Sequence, residues 1–361
     1  MVRSLGVLLA TVAMLIGACG GGTTPTTPSA SSAPTATAGA SKESPAQAIA
    51  RLYELAKADG TVAIYSSMNN DDAKKVFKDG FEAKFPGVKV AHTRASGEDL
   101  VTKVVTEKKA GQNLMDVVES NLFEVAFIIQ QGYTQKYRTA SGDEYPDQVK
   151  DKDGGWIAAR VNNDLPGINT AKLPPGVTIK TWKDLCNPAL SGKIAVEQGD
   201  IVVYSALRKI LGDAEAQATL KCIAANKPSL RSGHTEMANL LAAGEFAATL
   251  SSNGHRLAQL KYEEKKTIDW ARTDPIITDV QAMALADKPP HANAGKLLIE
   301  WLVSNEGQLA IQSTGRVPAN PKVAPKYPDL NNFAKPFYVS VELRNDFDKD
   351  SEFWRATFGI K

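Results

Sequence analysis

Cysteine and histidine are scarce in this chain, three and four residues among 361. Small exported scaffolds that replace a core with disulfides are rich in cysteine, so that class is excluded. Cys19 stands alone near the amino terminus, and Cys186 and Cys222 are the remaining pair. In an exported protein a bridge between those two is favoured over a pair of buried thiols. Neither sign of charge is in excess: 42 Lys and Arg face 40 Asp and Glu, a formal net charge of +2. That balance offers no basic footprint for nucleic acid. No apolar run reaches the roughly 20 residues of a membrane-spanning helix. Gly-x-Ser-x-Gly, His-Glu-x-x-His and a glycine-rich P-loop are all missing, which leaves an exported hydrolase, the rival reading, without its usual signatures. Repeats are missing as well, and an adhesion array would carry them.

What is present begins at the amino terminus. Met1-Val2-Arg3 gives a positive start, and Leu5 to Ala18 is uncharged and largely apolar. That pattern is a secretory signal. "LIGACGGG", with Ile16, Gly17 and Ala18 directly before Cys19, resembles a bacterial lipobox. The resemblance implies cleavage after residue 18, making residues 1–18 a lipoprotein signal peptide, and diacylglycerol on the Cys19 thiol. Two or more acyl chains on such a cysteine would anchor firmly. From Gly20 to Ser44 there is no large apolar residue, so residues 19–44 read as a disordered low-complexity tether. The expected location is exported and lipid-anchored on the outer face of the cytoplasmic membrane, at the cell surface or in the periplasm.

Removing the signal leaves 361 − 18 = 343 residues, and the part beyond the tether is long enough for two domains. With 43% hydrophobic and 23% charged residues it reads as an ordinary soluble globule. Ser44 and Pro45 predict a helix start, and Gly60 a helix end. "TVAIYSS" (Thr61 to Ser67) predicts a buried strand. Asp71 or Asp72 is expected to cap the helix that carries Val76, Phe77, Phe81 and Phe85. "VKVAHTR" predicts a second strand, and Ser96 with Asp99 a capping box for the next helix. "MDVVES" and "NLFEVAFIIQQG" complete a strand–helix alternation that predicts parallel βαβ units.

In such sheets ligands bind beyond the carboxyl ends of the strands. The rule selects Ser66, Ser67 and Asn69, then Ser96, Gly97 and Glu98, then Ser120 and Asn121. Each group also suits an ordinary helix cap. Their coincidence at three consecutive strand ends points to a cleft with backbone N–H groups available to a polar or anionic ligand.

"TWKDLCNPALSGKIAV" (Thr181 to Val196), the preceding "GINTAKL", "LLAAGEFAATL" (Leu240 to Leu250) and "LIEWLVSNEGQLAI" together resemble, in order, segments of bacterial extracellular solute-binding proteins of ABC importers. The likeness is closest to the ferric-iron, phosphonate and thiamine-type cluster and runs from about Gly60 to Pro321. It implies an α/β fold of the two-lobed periplasmic-binding-protein type (type II), with mostly parallel sheets and a crossed hinge. Lobe one is expected at 60–148 and 272–325, and lobe two at 160–271 and 326–361. The implied mechanism is lobe closure on a solute, without chemistry, followed by delivery to an ABC permease and its ATPase. A monomer without cofactor, catalytic residue or nucleic-acid partner is expected.

Ferric binders of this cluster resemble one another in holding iron through a histidine, a glutamate and two adjacent tyrosines. The matching positions here are about Asn69, Asn121 and "SNGH" (Ser252 to His255), and Tyr-Tyr occurs nowhere. Amides supply no anionic oxygen for ferric iron. Other lobe-two candidates are Gln198 and Gly199 in "VEQGD", Arg231, Ser232 and His234 in "RSGHTE", and Asn253, His255 and Arg256 in "SSNGHR". Arg231, His234, His255 and Arg256 would suit phosphate, phosphonate or carboxylate oxygens, while Glu197, Asp200 and Glu98 would suit an ammonium. The set therefore favours a phosphonate, organophosphate or zwitterion. Ferric iron with a synergistic anion is the alternative, and a metal site through His234, His255 and a carboxylate stays open.

Overall fold

The computed structural model describes residues 43–330 and 335–361. Residues 1–18, read above as a signal peptide, Cys19 and nearly all of the expected tether fall outside those residues. Residues Glu43–Lys361 form a compact unit.

The first helix, Pro45–Asp59, begins as its sequence predicts. The Ser44 hydroxyl accepts from the Gln47 N–H at 3.3 Å while the Gln47 side chain accepts from the Ser44 N–H at 2.9 Å. Gly60 ends it at φ +68°, a left-handed value that glycine adopts without penalty. Ala48, Leu52 and Ala56 form its buried stripe. The strands that follow are β1 Thr61–Ser66, β2 Lys89–Arg94, β3 Val117–Asn121, β4 Thr134–Gln135, β5 Ile157–Leu165, β6 Gly167–Asn169, β7 Ile194–Glu197, β8 Ser229–Arg231, β9 Ala248–Thr249, β10 Ser252–Asn253, β11 Ile268–Trp270, β12 Ile276–Ala286, β13 Val317–Pro318 and β14 Pro336–Tyr338.

These strands make two sheets. The larger has the order β10-β5-β12-β3-β1-β2, with β13 on β5 and both β14 and β4 on β12; the smaller has the order β11-β6-β9-β7-β8. β1 lies parallel to β2 and to β3, which is the pairing the strand–helix alternation demands. β12 and β5 join that parallel core antiparallel to their neighbours. All residues of both strands are buried, so they form the middle of the sheet and require cover on both faces.

The chain passes between the sheets at Pro166, which separates β5 from β6, at Leu250–Ser251, between β9 and β10, and at residues 271–275, between β11 and β12. Proline suits such a crossing because it cannot donate to a ladder and holds Leu165 extended. β5 and β10 therefore belong to the larger sheet, although their residues fall mostly in the segment assigned above to lobe two. β14 likewise joins the larger sheet, through Ile277↔Phe337. The last helix, Phe347–Phe358, packs instead on the helix Ile201–Leu211: Phe353 stacks on Tyr204 at 4.7 Å, and Asp350 pairs with the buried Arg208.

Cys186 and Cys222 form a disulfide with Cα atoms 5.3 Å apart. It ties the short turn Trp182–Cys186 to the helix Asp213–Ala225. The cysteines are 36 residues apart, and closing a loop of that length in the unfolded chain contributes about 3–4 kcal/mol. Chemical denaturation with and without reductant should show a loss of that size, and an unchanged midpoint would contradict the assignment.

Candidate functional site

The site is built on the middle of the larger sheet. β5 and β12 pair with Asn162 opposite Asp279 and Arg160 opposite Gln281. Alternate residues of a strand share a face, so Arg160, Asn162 and Asp164 lie on one face with Asp279 and Gln281. Each is buried. Burying this many polar groups demands a network, and one is present. The Arg160 guanidinium donates to the Ser67 hydroxyl at 2.9 Å and to Asn162 at 3.3 Å, and pairs with Glu119 at 3.0 Å. The Gln281 amide donates to Asn121 at 2.6 Å and to Asp279 at 2.9 Å, and its oxygen accepts from Ser67 at 3.2 Å. Ser66 donates to Glu119 at 2.6 Å.

The smaller sheet supplies a second cluster. Asp200, at the start of the helix Ile201–Leu211, accepts a short hydrogen bond from Ser251 and pairs with His234 Nε2 at 3.0 Å. Glu197 accepts from the N–H groups of Gly199 at 2.6 Å and Gly233 at 3.0 Å. Glu197, Asp200 and His234 can offer ligand atoms within 4.8 Å of one another. The two clusters influence each other, since Asp164 on β5 feels the charges of His234 and Asp200.

Burial shapes the electrostatics. It pushes the Asp164 carboxyl up to about 8, with Asp200 adding to the rise and His234 opposing it. Asp279 is pushed well above the usual carboxylate range by burial and by the charges of Asp164 and Glu124, against Arg160. Burial and Asp200 also raise Glu197. Burial disfavours charge on His234, but Asp200, with Glu197 and Asp164, outweighs it and holds the imidazole up near about 10. His255 is the converse case: burial, then Arg316 and Arg160, keep it well below its ordinary value and neutral at pH 7. Arg160 falls to about 10 through burial, against the pull of Glu119, and remains a cation.

A pH dependence follows from Asp164. Its carboxyl titrates at 3.8 in its ordinary state and near about 8 when folded. The folded protein thus holds a proton that the unfolded chain has released, and this contribution to stability is whole below about pH 4 and lost as pH rises through about 8. Stability of the wild type relative to Asp164→Asn should fall between pH 5 and pH 8.5. A flat difference would refute the assignment.

The structure brings together Ser66, Ser67, Ser120, Asn121, His234 and His255 from the sequence-based set, as buried or half-buried residues around these clusters. Others have different employment. Asn69, rather than Asp71 or Asp72, caps the helix Asn70–Ala73: its oxygen accepts from the Asp72 N–H at 2.9 Å and its amide donates to the Asp72 carboxylate at 2.8 Å. Ser96 makes no side-chain cap, so the expected capping box is not formed. Ser96 and Glu98 are exposed and Gly97 half-buried, with Glu98 pairing to Arg355 at 3.1 Å. Arg231 lies over the Phe246 ring at 5.3 Å. Arg256 is held by Asn239, Gln259 and Glu264. Gln198, Gly199 and Ser232 are exposed, and Asn253 pairs with Asp164 in the β10–β5 ladder. Neither arginine proposed for anion binding enters the buried clusters, because each has a nearer partner on its own surface.

Arg160, Asn162, Asp164, Asp279, Gln281 and Glu119 were not among the residues chosen from the sequence. Their signal is visible in retrospect, as polar residues at every second position of "ARVNNDL" and of "TDVQ". Alternation with both faces buried means a paid-for polar surface, and only the pairing of β5 with β12 shows that the two polar faces coincide.

The model of a family described as bacterial extracellular solute-binding protein matches residues 75–335. The chain belongs to that family. This solute-binding protein is thus a transport component, of the ABC-importer class that delivers small-molecule ligands to a permease, and the family is not one of enzymes. Among the described residues no helix is long and apolar enough to cross a membrane. No curated protein matches the chain.

Solved structures share its fold. Iron-bound HitA from Pseudomonas aeruginosa superimposes with a TM-score of 0.73 at 18% identity, covering 82% of this chain and 99% of that one. AfuA from Actinobacillus pleuropneumoniae, with fructose-6-phosphate bound, gives 0.73 at 19% identity over 83% and 99%. The Trichodesmium protein IdiA (FutA), in complex with iron and citrate, gives 0.67 at 19% over 83% and 100%. At such identities the likeness concerns the fold of this solute-binding protein and leaves its ligand to its own residues.

Proposed function

We propose that this protein captures a small polar solute between its two sheets, each the base of one lobe, and hands it to an ABC permease while tethered to the membrane through a lipid on Cys19. The lobes separate at the chain crossings near Pro166, Leu250–Ser251 and residues 271–275, and closure brings the β5–β12 polar face toward the Asp200–His234 cluster. The observation that carries this reading is the polar face itself. A stable core gains nothing from placing Arg160, Asn162, Asp164, Asp279 and Gln281 together in the middle of a sheet, whereas a receptor needs such groups where its lobes meet. The protein acts as a monomer and leaves the solute unchanged.

Among solutes, a zwitterion fits better than a simple phosphonate or organophosphate, because Arg231 and Arg256 are engaged elsewhere and Arg160 is already paired with Glu119. A metal ion, ferric iron included, is the second reading, favoured by the proximity of Glu197, Asp200 and His234 and by the iron-bound structures of similar fold. A thermal-shift panel of amino acids, polyamines, aminophosphonates, sugar phosphates, thiamine, and ferric iron with and without carbonate tests the proposal. A ligand at 100 times its dissociation constant adds about 2.7 kcal/mol. The stabilising compound should be recovered intact; its consumption, or no stabilisation by any class, would overturn the receptor reading.

A further inference from the structure

Asp164 is 4% exposed and Asp279 3% exposed. Asp279 Oδ1 is buried without a hydrogen-bond partner, while its other oxygen accepts from Gln281, and the influences on the Asp164 carboxyl are burial and the charges of His234 and Asp200, with no hydrogen bond among them. Other carboxylates of the same network are paired, Glu119 with Ser66 and Arg160, Asp72 with Arg316 at 2.8 Å, and Asp200 with Ser251 and His234, while Glu124 Oε2 shares with Asp279 Oδ1 the lack of a hydrogen-bond partner. The charged groups that act on Asp164 and Asp279 are Arg160 on β5, Glu124 on the helix after β3, and Asp200 and His234 beside the smaller sheet. Once Arg160 is set against Glu119 and His234 against Asp200, acidic groups remain. Buried acids with no opposite charge of their own carry a desolvation cost that a cation placed against them would offset.

We infer that the solute presents an ammonium group, an N–H-bearing organic cation, to Asp164 and Asp279. The inference rests on the receptor reading above and names the chemistry of its ligand. An ammonium offers three N–H donors on one charge, and the free acceptors on β5 and β12 are carboxylate oxygens, which make charge-assisted bonds with it. A metal ion answers the geometry less well. In the group within 4.8 Å, His234 Nε2 is already joined to Asp200 and both Glu197 oxygens accept backbone N–H groups, so chelation there would first break bonds that exist.

The test is calorimetric titration of the full chain with a panel of primary amines (glycine, lysine, 1,4-diaminobutane, spermidine and 2-aminoethylphosphonate), with ethylphosphonate as the anion lacking the amine, tetramethylammonium as the cation lacking N–H, and zinc and ferric citrate. At least one primary amine should bind, tetramethylammonium should not, and Asp164→Asn should weaken the amine by about 30-fold or more. Asp279→Asn should do the same in a second background, and Arg231→Ala should leave binding unchanged. Circular dichroism and the melting temperature verify that each variant is folded. Binding of ethylphosphonate or a metal without any amine would overturn the ammonium inference and leave the receptor standing, as would amine binding indifferent to both aspartates. If no amine binds, the inference fails; if the wider solute panel fails too, the receptor reading fails with it.

Discussion

Replacing Asp164 by asparagine is expected to raise the melting temperature of the solute-free protein while weakening its binding of an amine by about 30-fold or more. The residue is 4% exposed, and burial pushes its carboxyl up to about 8 with Asp200 adding to the rise. Holding such a group in the fold at pH 7, against an ordinary value of 3.8, opposes folding by on the order of 4 kcal/mol. The amide that replaces it is also buried and recovers only part of that. A net gain of about 2 kcal/mol, roughly 4 °C in a chain of this size, is the expected result. Differential scanning calorimetry of the two proteins at pH 7 and pH 5 checks it. The gain should shrink at pH 5, where the wild-type carboxyl is protonated and the penalty small. A variant less stable than the wild type at pH 7 would mean that Asp164 serves the fold, and the reading of it as a binding residue would fall.

The second large effect concerns Arg160. Its guanidinium and the Glu119 carboxylate are each 1% exposed and paired at 3.0 Å, with Ser66 and Ser67 bonded to either side. Arg160→Met would keep most of the volume but strand Glu119 as an uncompensated buried charge. Breaking a buried pair from one side costs about 3–5 kcal/mol. Removing both charges, as Arg160→Met with Glu119→Gln, should cost clearly less than the single change, because the double variant leaves no orphaned ion. Urea denaturation of the four proteins measures the coupling. Additive losses would show that the pair contributes little to holding β1, β3 and β5 in register around the site.

The contrast between these residues explains what was legible in the chain. Ser44, Pro45 and Gly60 announce the first helix because capping chemistry is local: the groups that satisfy one another are three residues apart. The parallel pairing of β1 with β2 and β3 follows from strand–helix alternation, also a local signal. Ser96 and Asp99 show the limit of that approach, since the spacing suits a cap and the cap is not made. Arg231 and Arg256 show it again. Their charge and their position near strand ends suggested anion binding, yet Phe246 lies under one, and Asn239 and Glu264 hold the other. A sequence names a side chain's chemistry without naming its nearest neighbour.

By itself the sequence determined the fold class, the order of helices and strands over residues 45–132, the family and the strand ends at which Ser66, Ser67, Ser120 and Asn121 stand. Those properties depend on periodicity and on contacts between residues close along the chain. Only the tertiary structure decided that Asp164 and Asp279, 115 residues apart by number (279 − 164), share one buried face, and that Asp200 and His234 act upon it from the other sheet. The reason is physical: register between strands distant in sequence is set by packing over the whole sheet, and the cost of an unpaired charge exists only once the rest of the protein has closed around it.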